Sequence, residues 1–189
     1  AAMTRAMDCT GNASSVHGEG RAARRVLDDA REQVARAIGV IAPMVVFTSG
    51  GSEANNMALK GAPVERIIVS AVEHPAVLQA ATATGKPVGI IPVDADGVIE
   101  LGALEQLLHG PKALVSVMAA NNETGVIFPT EEIGEIVKQA GVVYHVDAVQ
   151  AVGNSESRST CSTVCDVCCR AAWARFSRPS TLVALAMSM

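Results

Sequence analysis

Polar residues that could do chemistry recur at the ends of short apolar runs in this sequence. They stand at residues 48–52, at His74, at residues 121–122, and at Asp147 with Gln150. In a parallel sheet the carboxyl ends of the strands meet at one edge, and ligands bind there. We therefore expect these segments to converge on one ligand.

The first of these segments, TSGGS at 48–52, predicts a turn between a strand and a helix. The N–H groups of Gly51 and Ser52, the Ser52 hydroxyl and the helix dipole could bind a phosphate. The alternative is an ordinary helix cap by Ser49 or Ser52. The segment is not a Walker loop, because no Gly-Lys-Ser/Thr follows, and it lacks G-x-G-x-x-G.

His74 and the Asn pair at 121–122 each have a structural and a functional interpretation. A histidine before Pro75 could be purely structural, or it could stack on an aromatic ligand ring and exchange protons near neutral pH. Asn121 and Asn122 could simply form a turn, or Asn122 could contribute an amide to the site.

Asp147 ends the run VVYHV, where an ionised carboxylate is costly unless a cation meets it. It could cap the next helix, or it could form a charge-assisted hydrogen bond with a protonated ring nitrogen of a ligand. A phosphate cradle, a stacking ring, amide donors and this carboxylate together fit pyridoxal 5′-phosphate (PLP), whose protonated pyridine is an electron sink.

The elements that must position these residues alternate between strands and helices. An amphipathic helix is predicted over 19–38, ended by Gly39, and strands over 44–48 and 66–70. A helix follows from Pro75. Further strand and helix pairs lie within 88–108 and 113–139, and VVYHVD at 142–147 closes the series. This order predicts an α/β domain with a mostly parallel sheet.

Composition narrows the class of protein. The 189 residues are 49% hydrophobic, with a mean hydropathy of +0.30, which excludes disorder. A net charge of −4 makes nucleic acid an unexpected partner. No run approaches the ~18 apolar residues of a spanning helix, so we expect no membrane partner and a cytoplasmic location.

Several segments resemble the class V aminotransferase family, and within it the cysteine desulfurases. They are GNASSVHGEGRAAR, VVFTSGGSEANN, EHPAVL, NNETGVI and YHVDAVQAVG, which together cover about residues 11–153. The resemblance implies the three-layer large domain of a fold-type I PLP-dependent transferase, here incomplete, and a homodimer. The implied reaction converts L-cysteine to L-alanine and passes the sulfur to an acceptor protein, for iron–sulfur cluster or thio-cofactor assembly.

The resemblance also implies roles for individual residues. Gly51 and Ser52 would bind the phosphate, and His74 would stack on the pyridine and assist proton transfer. Asp147 would pair with the pyridine nitrogen. Asn122 and Gln150 would contact the phenolic oxygen, Asn122 also the substrate. No metal ligand is implied.

The sequence departs from the family pattern where the chemistry needs a lysine. The family's Schiff-base lysine follows the segment that matches YHVDAVQAVG, but the lysines here are Lys60, Lys86, Lys112 and Lys138, none in that context. An N-terminal segment and the loop with the sulfur-accepting cysteine are also missing. We therefore expect the 189-residue polypeptide to be inactive. Alternatives are a non-catalytic module that binds phosphorylated ligands or pairs with a full-length subunit, and a selenocysteine lyase or other class V member.

The residues after Gly153 differ in composition from the rest. They include four cysteines within nine residues, Cys161, Cys165, Cys168 and Cys169, and they lack apolar periodicity. We predict a partial PLP-binding domain at 1–153 and an irregular tail at 154–189. The favoured interpretation of the tail is out-of-frame translation from near Asn154. A divergent natural tail and a thiolate metal site are the alternatives. An incomplete sheet would expose strand edges, so we also predict strong self-association.

Overall fold

The structure is a computed structural model that describes residues 2–151. The chain divides into two compact units, Ala1–Phe47 and Thr48–Met189. The predictions for the 154–189 tail, its cysteines and the boundary at residue 153 lie outside the described residues.

The first unit contains α1 (Ala2–Met7), α2 (Gly18–Ile38) and a 3₁₀ turn at Ala42–Met44. The predicted helix at 19–38 is confirmed. It begins after His17, whose ring accepts the Gly20 N–H, and it ends at Gly39 in the left-handed conformation with φ 73°.

The strand predicted at 44–48 is wrong. A 3₁₀ turn that contains Pro43 occupies its first position, and the residues that follow pair with no strand of the described part. The Val45 carbonyl instead accepts a hydrogen bond from Arg31 Nε at 3.2 Å. The Arg31 side chain thus satisfies a backbone carbonyl that, in a sheet, would accept a hydrogen bond from a neighbouring strand.

The second unit alternates helices and strands. Its helices are α3 (Gly51–Gly61), α4 (Pro75–Thr82), α5 (Leu101–Leu108) and α6 (Thr130–Gln139). Its strands are β1 (Arg66–Ser70), β2 (Val88–Ile91), β3 (Ala113–Ser116) and β4 (Val143–His145). The strands form one sheet in the order β2-β1-β3-β4, and every neighbouring pair is parallel. The predicted α/β class is confirmed.

The helices of the second unit cover both faces of the sheet, which gives three layers. One apolar cluster packs α5 and α6 against one face, through residues such as Leu104, Ile133 and Val115. The other packs α3 and α4 against the opposite face, through Leu59 and Val77 among others. In residues 2–151, no helix combines the length and apolarity needed to cross a membrane.

Candidate functional site at the carboxyl edge of the sheet

The loops that follow β1, β3 and β4 meet at the carboxyl edge of the sheet, because these three strands are neighbours. The Asn121 side chain donates to the Val72 carbonyl at 3.1 Å, which joins the loops after β3 and β1. The Ala119 N–H donates to the Asp147 carbonyl at 2.9 Å, which joins those after β3 and β4. The structure therefore places the His74, Asn122 and Asp147 segments side by side.

Asp147 is the buried acid of this edge, with 7% of its surface exposed. One carboxylate oxygen, Oδ2, accepts a hydrogen bond from Asn55 Nδ2 at 2.7 Å, and the other, Oδ1, accepts the Val149 N–H at 3.1 Å. Both donors are neutral, and the ion pairs of the described residues do not include Asp147. Within residues 2–151 the Asp147 carboxylate thus has hydrogen-bond donors but no ion pair.

The N-terminus of α3 carries the predicted phosphate turn. Gly50 is the N-cap residue without a side-chain cap, and the Ala54 N–H makes the first intrahelical bond, to the Gly50 carbonyl. The N–H groups of Gly51 and Ser52 thus belong to the first turn, where helix geometry provides no partner. A Cβ atom at Gly50 would meet nothing within 4 Å, so the turn has open space beside it.

Ser49 does not cap α3 in the manner considered from sequence. Its N–H and hydroxyl both donate to Glu53 Oε2, each at 2.6 Å. These two hydrogen bonds hold the pKa of Glu53 below its usual range. Glu53 therefore fixes the backbone that enters the turn and leaves the next N–H groups to a ligand.

His74 has a structural role that sequence reasoning left open. It is the N-cap residue of α4, and its Nδ1 accepts the Ala76 N–H at 3.1 Å. The imidazole is exposed. Because Nδ1 accepts, a neutral ring carries its proton on Nε2, the atom that stays available to a ligand.

The turn interpretation of the Asn pair is confirmed for its first member. Asn121 Oδ1 accepts the N–H groups of Glu123 and Thr124, at 2.8 and 2.9 Å. Asn122 is exposed beside this turn, and Gln150 is exposed in the turn after Asp147.

Two further buried titratable residues lie behind the edge. Glu73 is 4% exposed, and burial, with the charge of Asp147 as a smaller cause, raises its pKa to about 8 despite the hydrogen bond from Met118. His145 is fully buried, and burial lowers its pKa to about 4 although the charge of Asp147 opposes this shift. At neutral pH both side chains are therefore mostly uncharged.

The sequence offered a signal for Asn55 that our interpretation of the sequence missed. Asn55, Ala58, Leu59 and Ala62 recur at helical spacing, and all four are buried. An amide at the start of an otherwise apolar stripe needs a hydrogen-bonding partner inside the protein. Its partner is Asp147, 92 residues later in the chain.

The lysines lie at the opposite edge of the sheet. Lys60 and Lys138 lie in the last turns of α3 and α6, which lead into β1 and β4. Lys86 and Lys112 lie just before β2 and β3 begin. Lys86 Nζ, for example, donates to the Ala62 carbonyl at 3.1 Å, before β1 begins. The 189 residues thus place no lysine amine at the carboxyl edge, where Asp147 lies.

The residues of this edge fit PLP on structural grounds. The open helix N-terminus at Gly51 suits its phosphate. The buried carboxylate of Asp147, which has only neutral donors among the described residues, suits a protonated pyridine nitrogen.

Comparison with known proteins extends these observations. The family described as Aminotransferase class-V matches residues 1–166. The chain is 41% identical over 153 residues to "Cysteine desulfurase IscS" of Dictyoglomus turgidum, covering 76% of this chain and 39% of that protein. It is 44% identical over 165 residues to "Cysteine desulfurase" of Nostoc sp., covering 83% and 41%. The chain thus spans about two fifths of the length of these relatives.

Solved structures agree with the sequence relatives. A NifS-like protein from Rickettsia africae superposes with a TM-score of 0.75 at 34% identity, covering 81% of this chain and 44% of that chain. DndA from Streptomyces lividans superposes with a TM-score of 0.73 at 32% identity, covering 86% and 48%.

Proposed function

Because the chain belongs to the class-V aminotransferase family, we propose that its residues form the PLP-binding part of a cysteine desulfurase. The reaction is the conversion of L-cysteine to L-alanine, with the sulfur passed to an acceptor protein for iron–sulfur cluster or thio-cofactor assembly. The intact enzyme is a homodimer in this proposal. The relatives named as cysteine desulfurases support it, as does the site at the carboxyl edge of the sheet.

Each site residue has a role in this proposal. The N–H groups of Gly51 and Ser52 bind the phosphate, and the His74 ring stacks on the pyridine. Asn122 and Gln150 donate to the phenolic oxygen of the cofactor. The Asp147 carboxylate accepts a hydrogen bond from the protonated pyridine nitrogen.

The observation that carries the proposal is the environment of Asp147. Its carboxylate is buried and held by two neutral donors, Asn55 and Val149. A buried carboxylate of this kind is stabilised strongly by a cation that arrives with a ligand. When bound, PLP supplies an electron sink whose strength depends on protonation of its ring nitrogen, and Asp147 keeps that proton in place.

In this proposal His74, an exposed side chain of this edge, moves a proton. Its Nδ1 is engaged with Ala76, so the exchange takes place at Nε2. The hydrogen bond from Ala76 restrains the ring at Nδ1 and leaves Nε2 to exchange the proton.

A second function, non-catalytic ligand binding, is favoured for the 189-residue polypeptide by the position of its lysines. No lysine of the 189 residues lies at the Asp147 edge, so this polypeptide cannot hold the cofactor covalently there. We expect it to bind phosphorylated pyridine ligands, alone or paired with a full-length subunit, without releasing alanine from L-cysteine. Alanine release by the purified polypeptide would contradict this expectation.

The test is titration of the 189-residue polypeptide with pyridoxamine 5′-phosphate, which carries no aldehyde to react with exposed lysines. We expect saturable binding that Asp147→Asn weakens about tenfold or more, because the charge-assisted bond is lost. Asp96→Asn, in the exposed turn after β2, is the matched control and should bind as the unmodified chain does. Equal binding by both variants would overturn the proposed role of Asp147.

A further inference from the structure

Asn55 stands out among the buried polar residues because it connects the two ends of the proposed ligand site. It lies on α3 one turn after Gly51 and Ser52, and it is 1% exposed. Its Nδ2 donates to Asp147 Oδ2 at 2.7 Å. One rigid helix therefore carries the phosphate turn at its N-terminus and holds the Asp147 carboxylate one turn later.

The Asp147 carboxylate has little freedom to rotate. Asn55 Nδ2 binds one oxygen, and the Val149 N–H binds the other at 3.1 Å. Val149 is two residues from Asp147 and moves with it, whereas Asn55 belongs to a separate element. The contact with Asn55 is thus the one that fixes the carboxylate relative to α3.

The hydrogen bonding of Asn55 argues against a purely structural role. Its Oδ1 is buried and has no hydrogen-bond partner among the described residues. A buried acceptor without a hydrogen-bond partner lowers the stability of the folded chain. An apolar side chain of similar shape would avoid that cost, so the amide is better explained by what its Nδ2 does for Asp147.

We propose that Asn55 is the positioning residue of this site: through Asp147 it sets the distance between the phosphate turn and the carboxylate that meets the ring nitrogen of the ligand. This inference rests on the proposed function. It predicts that Asn55 selects for ligands in which a phosphate and a protonated ring nitrogen are held at the separation found in pyridoxal compounds.

The first test compares two ligands, inorganic phosphate and pyridoxamine 5′-phosphate, on the 189-residue polypeptide. In Asn55→Leu we expect phosphate affinity to stay within about twofold, because the N–H groups of the turn are unchanged. Affinity for pyridoxamine 5′-phosphate should fall about tenfold, and the bound ring nitrogen should lose its proton at a lower pH. Gln106→Leu, which removes an exposed amide from α5, is the matched control and should change neither value.

The second test needs no ligand. Asn55→Leu should destabilise the unmodified chain in urea, because it leaves the Asp147 carboxylate short of a donor, but it should not destabilise an Asp147→Leu background. If Asn55→Leu does not fold, Asn55→Ala removes the same donor without added volume.

The outcomes separate the inference from the proposed function. Equal destabilisation in both backgrounds, or unchanged selectivity in Asn55→Leu beside clear binding by the unmodified chain, overturns the inference alone. Failure of the unmodified chain to prefer pyridoxamine 5′-phosphate over phosphate overturns the proposed function, and this inference with it.

Discussion

The Glu73 carboxyl group joins the ends of two neighbouring strands by accepting the Met118 N–H at Oε1, 2.6 Å away. Glu73 stands just before His74 in the loop after β1, and Met118 lies just beyond β3. Glu73 Oε2 is buried without a hydrogen-bond partner among the described residues. The loop that presents His74 is thus tied to the sheet by a buried acid.

Glu73 should make the stability of the fold depend on pH. Its pKa is raised from 4.5 to about 8, so between these values the folded chain holds a proton that the unfolded chain has released. The free energy of unfolding therefore falls as pH rises through this window. Urea unfolding across about pH 5 to 8 should show the decline, and Glu73→Gln should abolish it.

A matched control for Glu73 is Glu123→Gln, at an exposed position in the loop after β3. It should keep the decline of the unmodified chain. A decline of the same size in Glu73→Gln would assign the effect to another group.

His145 should have the opposite effect on the acidic side. Its pKa is lowered from 6.5 to about 4, so between these values the unfolded chain binds a proton that the folded chain does not. Stability is therefore lost as pH falls from about 6.5 towards 4. His145→Asn should remove this loss in acid urea unfolding. His109→Asn, at the exposed end of α5, should retain it, and its disappearance there would contradict the assignment.

The parallel sheet was predictable because its strands are short apolar runs flanked by breaks. The strand predicted at 66–70 coincides with β1, and the helix predicted from Pro75 coincides with the start of α4. At 44–48 the same apolar pattern did not predict the structure: Pro43 lies in a 3₁₀ turn, and Arg31 donates a hydrogen bond to the Val45 carbonyl. The spacing of apolar residues does not reveal such a side-chain contact.

The sequence was sufficient to predict that the candidate site lies at the ends of strands, but not which side chains hydrogen-bond to one another there. Asp147 stood out because an acid ends an apolar run, and His74 because it precedes a proline. The contact of Asp147 with Asn55 joins positions 92 residues apart, which no local pattern encodes. The raised pKa of Glu73 depends on burial, which only the folded chain defines.

Arg66 should stabilise the connection between α5 and β3. Its guanidinium donates to three carbonyls where α5 ends, those of Leu107, Leu108 and Pro111, at 2.5, 3.1 and 2.9 Å. Because the last carbonyls of a helix, here those of Leu107 and Leu108, have no intrahelical partner, we expect Arg66→Ala to cost about 1–3 kcal/mol in urea unfolding.

Arg66→Lys should recover less than half of that loss, since one ammonium cannot reproduce the fork of donors. Arg24→Lys, in an exposed pair with Asp28, is the control and should stay within about 0.5 kcal/mol. Full recovery by Arg66→Lys would mean that charge alone matters at this position.

Two substitutions at His74 separate its role as a helix cap from its proposed role in ligand binding. Asparagine is a good N-cap residue, so Asn at 74 can still accept the Ala76 N–H, whereas Ala cannot. We expect His74→Ala to lose about 1 kcal/mol of stability and His74→Asn to lose much less. Both should weaken binding of pyridoxamine 5′-phosphate to a similar degree, because both remove the stacking ring. If His74→Asn binds the ligand as well as the unmodified chain does, His74 acts on this edge only as a helix cap.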